Sequence, residues 1–207
     1  MESIQKSDLF LPNRIARVIL ASLEESLGKA GLEKILQAAN LAELVDERPA
    51  DTMDSTFNFA DFSMLNGAID EIYGTRGGRA ITSRAGKAVF DQVFSHFGAM
   101  AGIEDDTFME LPVDVKMRIG LPALAKILSS VSDMQTSIEE TGESTTVTVH
   151  QCPACWGRET EKPACNLING LLLAGCKWIS GGIDFTVHQS LAKSSGDETC
   201  TFEIRKE

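Results

Sequence analysis

Residues 144–205 read STTVTVHQCPACWGRETEKPACNLINGLLLAGCKWISGGIDFTVHQSLAKSSGDETCTFEIR, and the changes of period inside this stretch decide the fold class. In STTVTVH, Val147 and Val149 alternate with Thr146, Thr148 and His150. In IDFTVH (183–188), Ile183, Phe185 and Val187 alternate with Asp184, Thr186 and His188. In CTFEIR (200–205), Cys200, Phe202 and Ile204 alternate with Thr201, Glu203 and Arg205. A period of two puts one set against a core and the other toward water, which is the pattern of a half-buried antiparallel strand. Between these strands, Pro163 to Ile179 carries Leu167, Ile168, Leu171, Leu172 and Trp178 at helical spacing. A weaker strand, MQTSIEE (134–140), is expected to pair with 144–150 through a turn at Thr141–Gly142.

Upstream of residue 134 the period is helical. After Pro12 and Asn13, the side chains of Ile15, Val18, Ile19, Ser22 and Leu23 share one face. A short helix is expected from Leu32 to Ala39, then a polar connection over residues 46–55. Two more helices follow, FADFSMLNGAIDEIYG and a second after a break at Gly77–Gly78, in which Val89, Val93 and His96 share a side. The segment from Pro112 to Val131 continues the pattern through Pro122, which kinks it or starts a new helix. The expected architecture is α+β: N-terminal helices packed on a twisted antiparallel sheet of about four strands. Residues 1–55 form an N-terminal helical extension and 56–207 the main domain.

Composition narrows the function classes. The 207 residues are 43% hydrophobic, enough for a core without disulfide staples. With 19 Lys plus Arg against 30 Asp plus Glu, the net charge is −11, which repels nucleic acid and anionic membrane. Arg79 and Arg84, beside the expected helix start, either receive an anionic head group or pair with carboxylates such as Asp70 and Glu71. There is no apolar run of transmembrane length, and MESIQKSDLF lacks the pattern of a secretion signal, so a cytoplasmic, reducing location is expected. The five cysteines are then thiols or metal ligands. No G-x-S-x-G, P-loop or strand-borne G-x-G-x-x-G is present, so no enzyme class is indicated.

The chemistry-bearing stretch is CPACWGRETEKPAC, 152–165. Cys152 and Cys155 have the spacing that lets two thiolates reach one metal from a tight turn. Cys165 adds a third sulfur from the helix start and Cys200 a fourth from the last strand. A structural Zn²⁺ on these four is one reading, and buried thiols acting as small hydrophobes are the other. A thiol redox pair of Cys152 and Cys155 is a third. Cys176 lies eleven residues after Cys165, about three helical turns, too far along to share its metal.

The order of strand, CPACWG, Cys at the start of a Leu-rich helix ending in Gly-Gly, strand, then SSGDETCTFEI resembles the C-terminal half of 4-vinyl reductase-like domains. The likeness spans residues 80–205, and Gly196, Asp197, Cys200 and Phe202 fit the family's closing pattern. Two positions depart from it. The family's Glu falls on Gln189 and its first Cys on Ala192. In phenol-sensing members those two side chains help hold zinc, together with residues corresponding to Cys165 and Cys200. The resemblance therefore implies that zinc is kept only if Cys152 and Cys155 take the two vacated places.

The resemblance also implies a fold shared with TRAPP transport-complex subunits and haem-NO-binding domains, an apolar pocket between helices and sheet, and a homodimer through the helices. The expected function is non-catalytic binding of a small hydrophobic molecule (a hydrocarbon, an aromatic or a tetrapyrrole-like compound) as carrier, sensor or accessory factor. A structural dimeric adaptor without ligand, or an accessory protein in bacteriochlorophyll vinyl reduction, is the alternative. The residues expected to line the pocket are Phe90, Phe94, His96, Phe97, Leu171, Trp178 and Phe185, with His96 as a donor to the ligand. The competing expectation is that these side chains are plain core. A continuous cavity between the long helix and the sheet separates the two.

Overall fold

The computed structural model describes residues 4–100, 103, 105–141 and 144–206. The chain opens with a short strand, β1 (Phe10–Pro12), which runs directly into α1 (Asn13–Ala38). A second short strand, β2 (Ser55–Asn58), pairs antiparallel with β1 and leads into α2 (Phe59–Val89). The Asn58 side chain caps α2 by accepting from the Ala60 amide at 2.9 Å, and its own amide group donates to the Ser7 carbonyl at 2.6 Å. These bonds tie the N-terminal segment to the start of the longest helix.

Both long helices bend where a glycine adopts positive φ, Gly28 at 72° in α1 and Gly74 at 69° in α2. The break in α2 therefore lies at Gly74, and Gly77 and Gly78 are helical, contrary to the expected boundary. A π-helical turn, Phe90–Phe94, follows α2 and hands over to α3 (Ser95–Met100). After the short α4 (Asp106–Met109), α5 (Val113–Val131) passes through Pro122 as one helix.

The remaining elements form the sheet and its central helix. β3 (Thr136–Thr141), β4 (Ser144–Val149), β5 (Phe185–Leu191) and β6 (Cys200–Lys206) lie in the order β3-β4-β6-β5, all antiparallel. Helix α6 (Asn166–Ser180) starts three residues later than the sequence suggests, because Pro163 and Ala164 stay outside it. The alternation holds in β4 and β6, where Val147, Val149, Cys200, Phe202 and Ile204 are buried; β5 begins only at Phe185, and Ile183, expected on its core face, lies before it and is exposed. The fold is α+β, with helices packed against a four-stranded antiparallel sheet. The expected turn at Thr141–Gly142 reaches Gly142, which lies outside the described residues. Leu11, Ile15, Leu20 and Leu23 of the first 55 residues join the same hydrophobic core as Leu171 and Phe202.

Helices α2 and α6 cross backbone to backbone. A Cβ on Gly86 would stand 1.9 Å from the Leu167 carbonyl oxygen, and one on Gly170 would stand 2.0 Å from that of Ser83. Neither obstacle is a flexible side chain, so any larger residue forces the helices apart. The substitution Gly170→Ala is expected to lower stability by about 3 kcal/mol in urea unfolding, at the upper end of overpacking costs. A loss below about 1 kcal/mol would show that the crossing is loose.

Candidate metal centre

Four segments converge on one point at the edge of the core. The chain leaves β4 at Val149, makes a short 3₁₀ turn at Pro153–Cys155, and reaches α6 with Cys165 as the residue before its first turn. Cys200 opens β6, paired with Val149 in register. The Sγ atoms of Cys152, Cys155, Cys165 and Cys200 all lie within 4.8 Å of one another. The closest approaches are 3.0 Å (Cys155–Cys165), 3.4 Å (Cys152–Cys165 and Cys155–Cys200) and 3.5 Å (Cys165–Cys200). A tetrahedron of metal–sulfur bonds of about 2.3 Å has edges of about 3.8 Å, so the cluster is close to the size of a four-thiolate metal site. Cys176 is elsewhere in the core, where burial pushes its thiol up to about 12.

The four sulfurs shift one another's titration. Burial pushes the Cys152 thiol well above its ordinary range, and bonds to the three neighbouring sulfurs push it further. Cys155 is pulled far below that range because Cys152, then Cys165 and Cys200, hydrogen-bond to its sulfur. At Cys165 the bond with Cys152 pulls downward, but the bonds with Cys155 and Cys200 and burial outweigh it, so this thiol is raised. A bound divalent ion favours the thiolate form of its cysteine ligands and releases their protons.

Backbone and hydroxyl groups surround the sulfurs as an outer shell. The Lys193 amide donates to Cys200 Sγ at 3.4 Å, and Cys155 Sγ lies 3.4 Å from Ser194 Oγ. Ser194 Oγ also receives the Thr160 hydroxyl at 2.7 Å. Gln189 holds the cluster without joining it: its side-chain oxygen accepts from the Cys165 amide at 3.0 Å. Ala192 is fully buried, and its own amide donates to Asp197 Oδ2 at 2.7 Å. The Cys152–Cys155 turn is pinned to α2 by Arg158, which bonds Asp70 Oδ2 at 2.6 Å and the Ala154 carbonyl at 3.2 Å. Asp70 is therefore taken by Arg158. Arg79 and Arg84 are exposed on α2, with no ion pair among the described residues, and α2 runs unbroken past Gly78, so no helix start lies there to receive an anion.

The seven residues expected to line a pocket are spread over several places. Phe94 and Leu171 border an enclosed apolar cavity of about 20 Å³. Phe90 is buried and packs edge-on against Trp178, ring centroids 5.8 Å apart. Trp178 and Phe185 line an open groove of about 710 Å³ at the end of α6. Phe97 borders a different groove, beside Ser129–Asp133. His96 is exposed. The π-turn explains its position: the Ser95 amide bonds back to the Phe90 carbonyl, one residue further than in an α-helix, so His96 rotates off the face of Val89 and Val93.

No protein-family model matches this sequence, and no curated protein sequence does. The fold does match solved structures. An H-NOX protein from S. oneidensis in the Fe(II)NO ligation state superposes with a TM-score of 0.60 at 11% identity, over 95% of this chain and 99% of that one. The H-NOX of Shewanella woodyi gives 0.54 at 15% identity, over 94% of each chain. A T. Tengcongensis H-NOX variant gives 0.58 at 9% identity, over 95% of this chain and 98% of that one. These likenesses show the fold.

Haem, the group of the H-NOX family, does not fit this interior. The enclosed cavity of about 20 Å³ is far below the roughly 300–1,000 Å³ of a ligand pocket. His96, His150 and His188 are all exposed, so no histidine is available inside as an iron ligand.

The Arg158–Asp70 pair gives a direct test of the anchoring of the cysteine turn. Arg158→Met leaves the Asp70 carboxylate, about one quarter exposed, without its partner. The expected loss is about 1–3 kcal/mol in urea unfolding, with part of it recovered by adding Asp70→Leu. Unchanged stability in the single variant would remove the pair from the account.

Proposed function

We propose that this chain is a non-catalytic binding module for a small hydrophobic molecule, held in shape by a structural Zn²⁺ on Cys152, Cys155, Cys165 and Cys200. The observation that carries the reading is the buried four-sulfur cluster at the start of α6. Four thiolates leave no open position on a tetrahedral metal, which is the arrangement of a structural rather than a catalytic zinc. Iron is the competing occupant of an all-sulfur tetrahedron, but the C-x2-C-x9-C spacing is unlike that of ferredoxins.

Helix α6 links that staple to the binding surface. Its first turns face the enclosed cavity through Leu167, Ile168 and Leu171. Its last turns, through Leu173, Ala174 and Trp178, form the wall of the open groove, whose volume suits a small organic guest. The SSGDETCTFEI segment supports placing the chain among 4-vinyl reductase-like domains. A tetrapyrrole is not a guest of the closed interior, and this disfavours a direct part in bacteriochlorophyll vinyl reduction. A cytoplasmic location, where thiols stay reduced, belongs to the same reading. So does a homodimer through the helices, with Ile119 of α5, 49% exposed, offering an apolar contact.

A structural dimeric adaptor is the second reading, favoured by the nearly filled core. Among the described residues, no helix is long and apolar enough to cross a membrane.

Native mass spectrometry of protein purified from its own host, with metal analysis of the same sample, tests the proposal. One zinc per chain and a bound organic mass are expected. The zinc should be lost in Cys165→Ser and kept in Cys176→Ala. An empty, metal-free dimer would overturn the zinc site and favour the adaptor.

A further inference from the structure

The open groove at the C-terminal end of α6 combines an apolar wall with lysines. Leu173, Ala174, Trp178 and Phe185 supply the apolar surface, and Lys87 and Lys177 stand at its rim. Two aspartates also line it. Asp184 is paired with Lys177 at 2.9 Å, whereas among the described residues Asp91 and Lys87 have no ion pair. The decisive group lies behind this rim. Lys116 of α5 is 6% exposed, and its Nζ has one hydrogen-bond partner, the Met109 carbonyl at 3.1 Å. No carboxylate of the described residues pairs with it.

The ammonium reaches the groove wall at Gly181. A Cβ there would stand 3.3 Å from Lys116 Nζ and 3.1 Å from Met109 Cε, so the missing side chain leaves the space those two atoms occupy. Gly181 and Met109 both line the groove, and Met109 is 39% exposed. The C-terminal carbonyls of α6 offset part of the buried charge. An ammonium so placed, bonded to a carbonyl and paired with no carboxylate of the described residues, favours a full negative charge beside it.

We infer that this groove takes a small amphipathic carboxylic acid, its apolar body against Trp178 and Phe185 and its carboxylate directed to Lys116, with Lys177 and Lys87 at the rim. The inference rests on the binding-module reading and specifies its ligand class. Displacement of the flexible Met109 side chain opens the path to Nζ.

Octanoate, octanol and octylammonium serve as probes, followed by calorimetry and by the fluorescence of Trp178 in a Trp156→Phe background. Octanoate is expected to bind saturably and about tenfold more tightly than octanol, the worth of one hydrogen bond to a charged group. Octylammonium is expected to bind more weakly than either. Lys116→Met should bring octanoate down to the level of octanol and leave octanol unchanged, an effect that a purely structural lysine would not produce. If that variant does not fold, the exposed double variant Lys87→Met/Lys177→Met is expected to weaken octanoate selectively. Equal affinity for octanoate and octanol, or octanoate binding that survives Lys116→Met, overturns the carboxylate assignment and leaves the binding module standing. Binding of none of the three probes overturns both.

Discussion

Four sulfurs packed within 4.8 Å of one another in an apolar interior cannot all carry charge without a cation among them. That constraint organises the C-terminal half of the molecule. Cys200 and Val149 face each other in register, so the cluster fixes the pairing of β4 with β6. Cys165 sits at the entry to α6 and sets where that helix begins. Cys152 and Cys155 bring the intervening turn over the top, where Arg158 ties it to α2. One ion at the centre would thus clamp the sheet, the central helix and the long N-terminal helix together. A domain of this size has core enough to fold. What the ion adds is a fixed relation between elements far apart in sequence.

Helix α6 carries that relation across the molecule. At Gly170 it meets Gly86 of α2 so closely that neither position tolerates a side chain. Contact at this distance makes the helix pair rigid and fills the space where a large interior guest would sit, consistent with an enclosed cavity of only about 20 Å³. The fold is similar to that of H-NOX proteins, yet this interior is packed with Phe62, Phe94, Leu171 and their neighbours. Shared architecture and different use are compatible, because function resides in the residues placed on a fold rather than in the fold. The proposed binding surface is the open groove at the end of α6, lined by Trp178, Phe185 and Lys177.

The strands were legible because alternation of Val147 with Val149, or of Cys200 with Phe202, leaves a period-two signal that survives without context. The cysteine cluster was legible from spacing for Cys152 and Cys155, and from helix and strand starts for Cys165 and Cys200. The short β1–β2 ribbon was not legible: three and four residues are too few for a period, and Pro12 argues against a strand. The break in α2 was placed at Gly77–Gly78, since paired glycines are the stronger local signal, but positive φ occurs at the single Gly74. The π-turn at Phe90–Phe94 has no sequence signature, and it moved His96 to the surface. The role of Gln189 also depends on tertiary context. An amide is a poor metal ligand, but it is well suited to receive the Cys165 amide beside one. Lys116 has no signal in the sequence; it is buried beside Gly181, at the end of α6.

The proposed zinc site has Cys152, Cys155, Cys165 and Cys200 as its only ligands. A zinc K-edge X-ray absorption spectrum of the purified protein reads the donor atoms around the ion. Four sulfurs at about 2.3 Å from the ion are expected. A shell containing nitrogen or oxygen, or a protein that retains no zinc, would contradict this site.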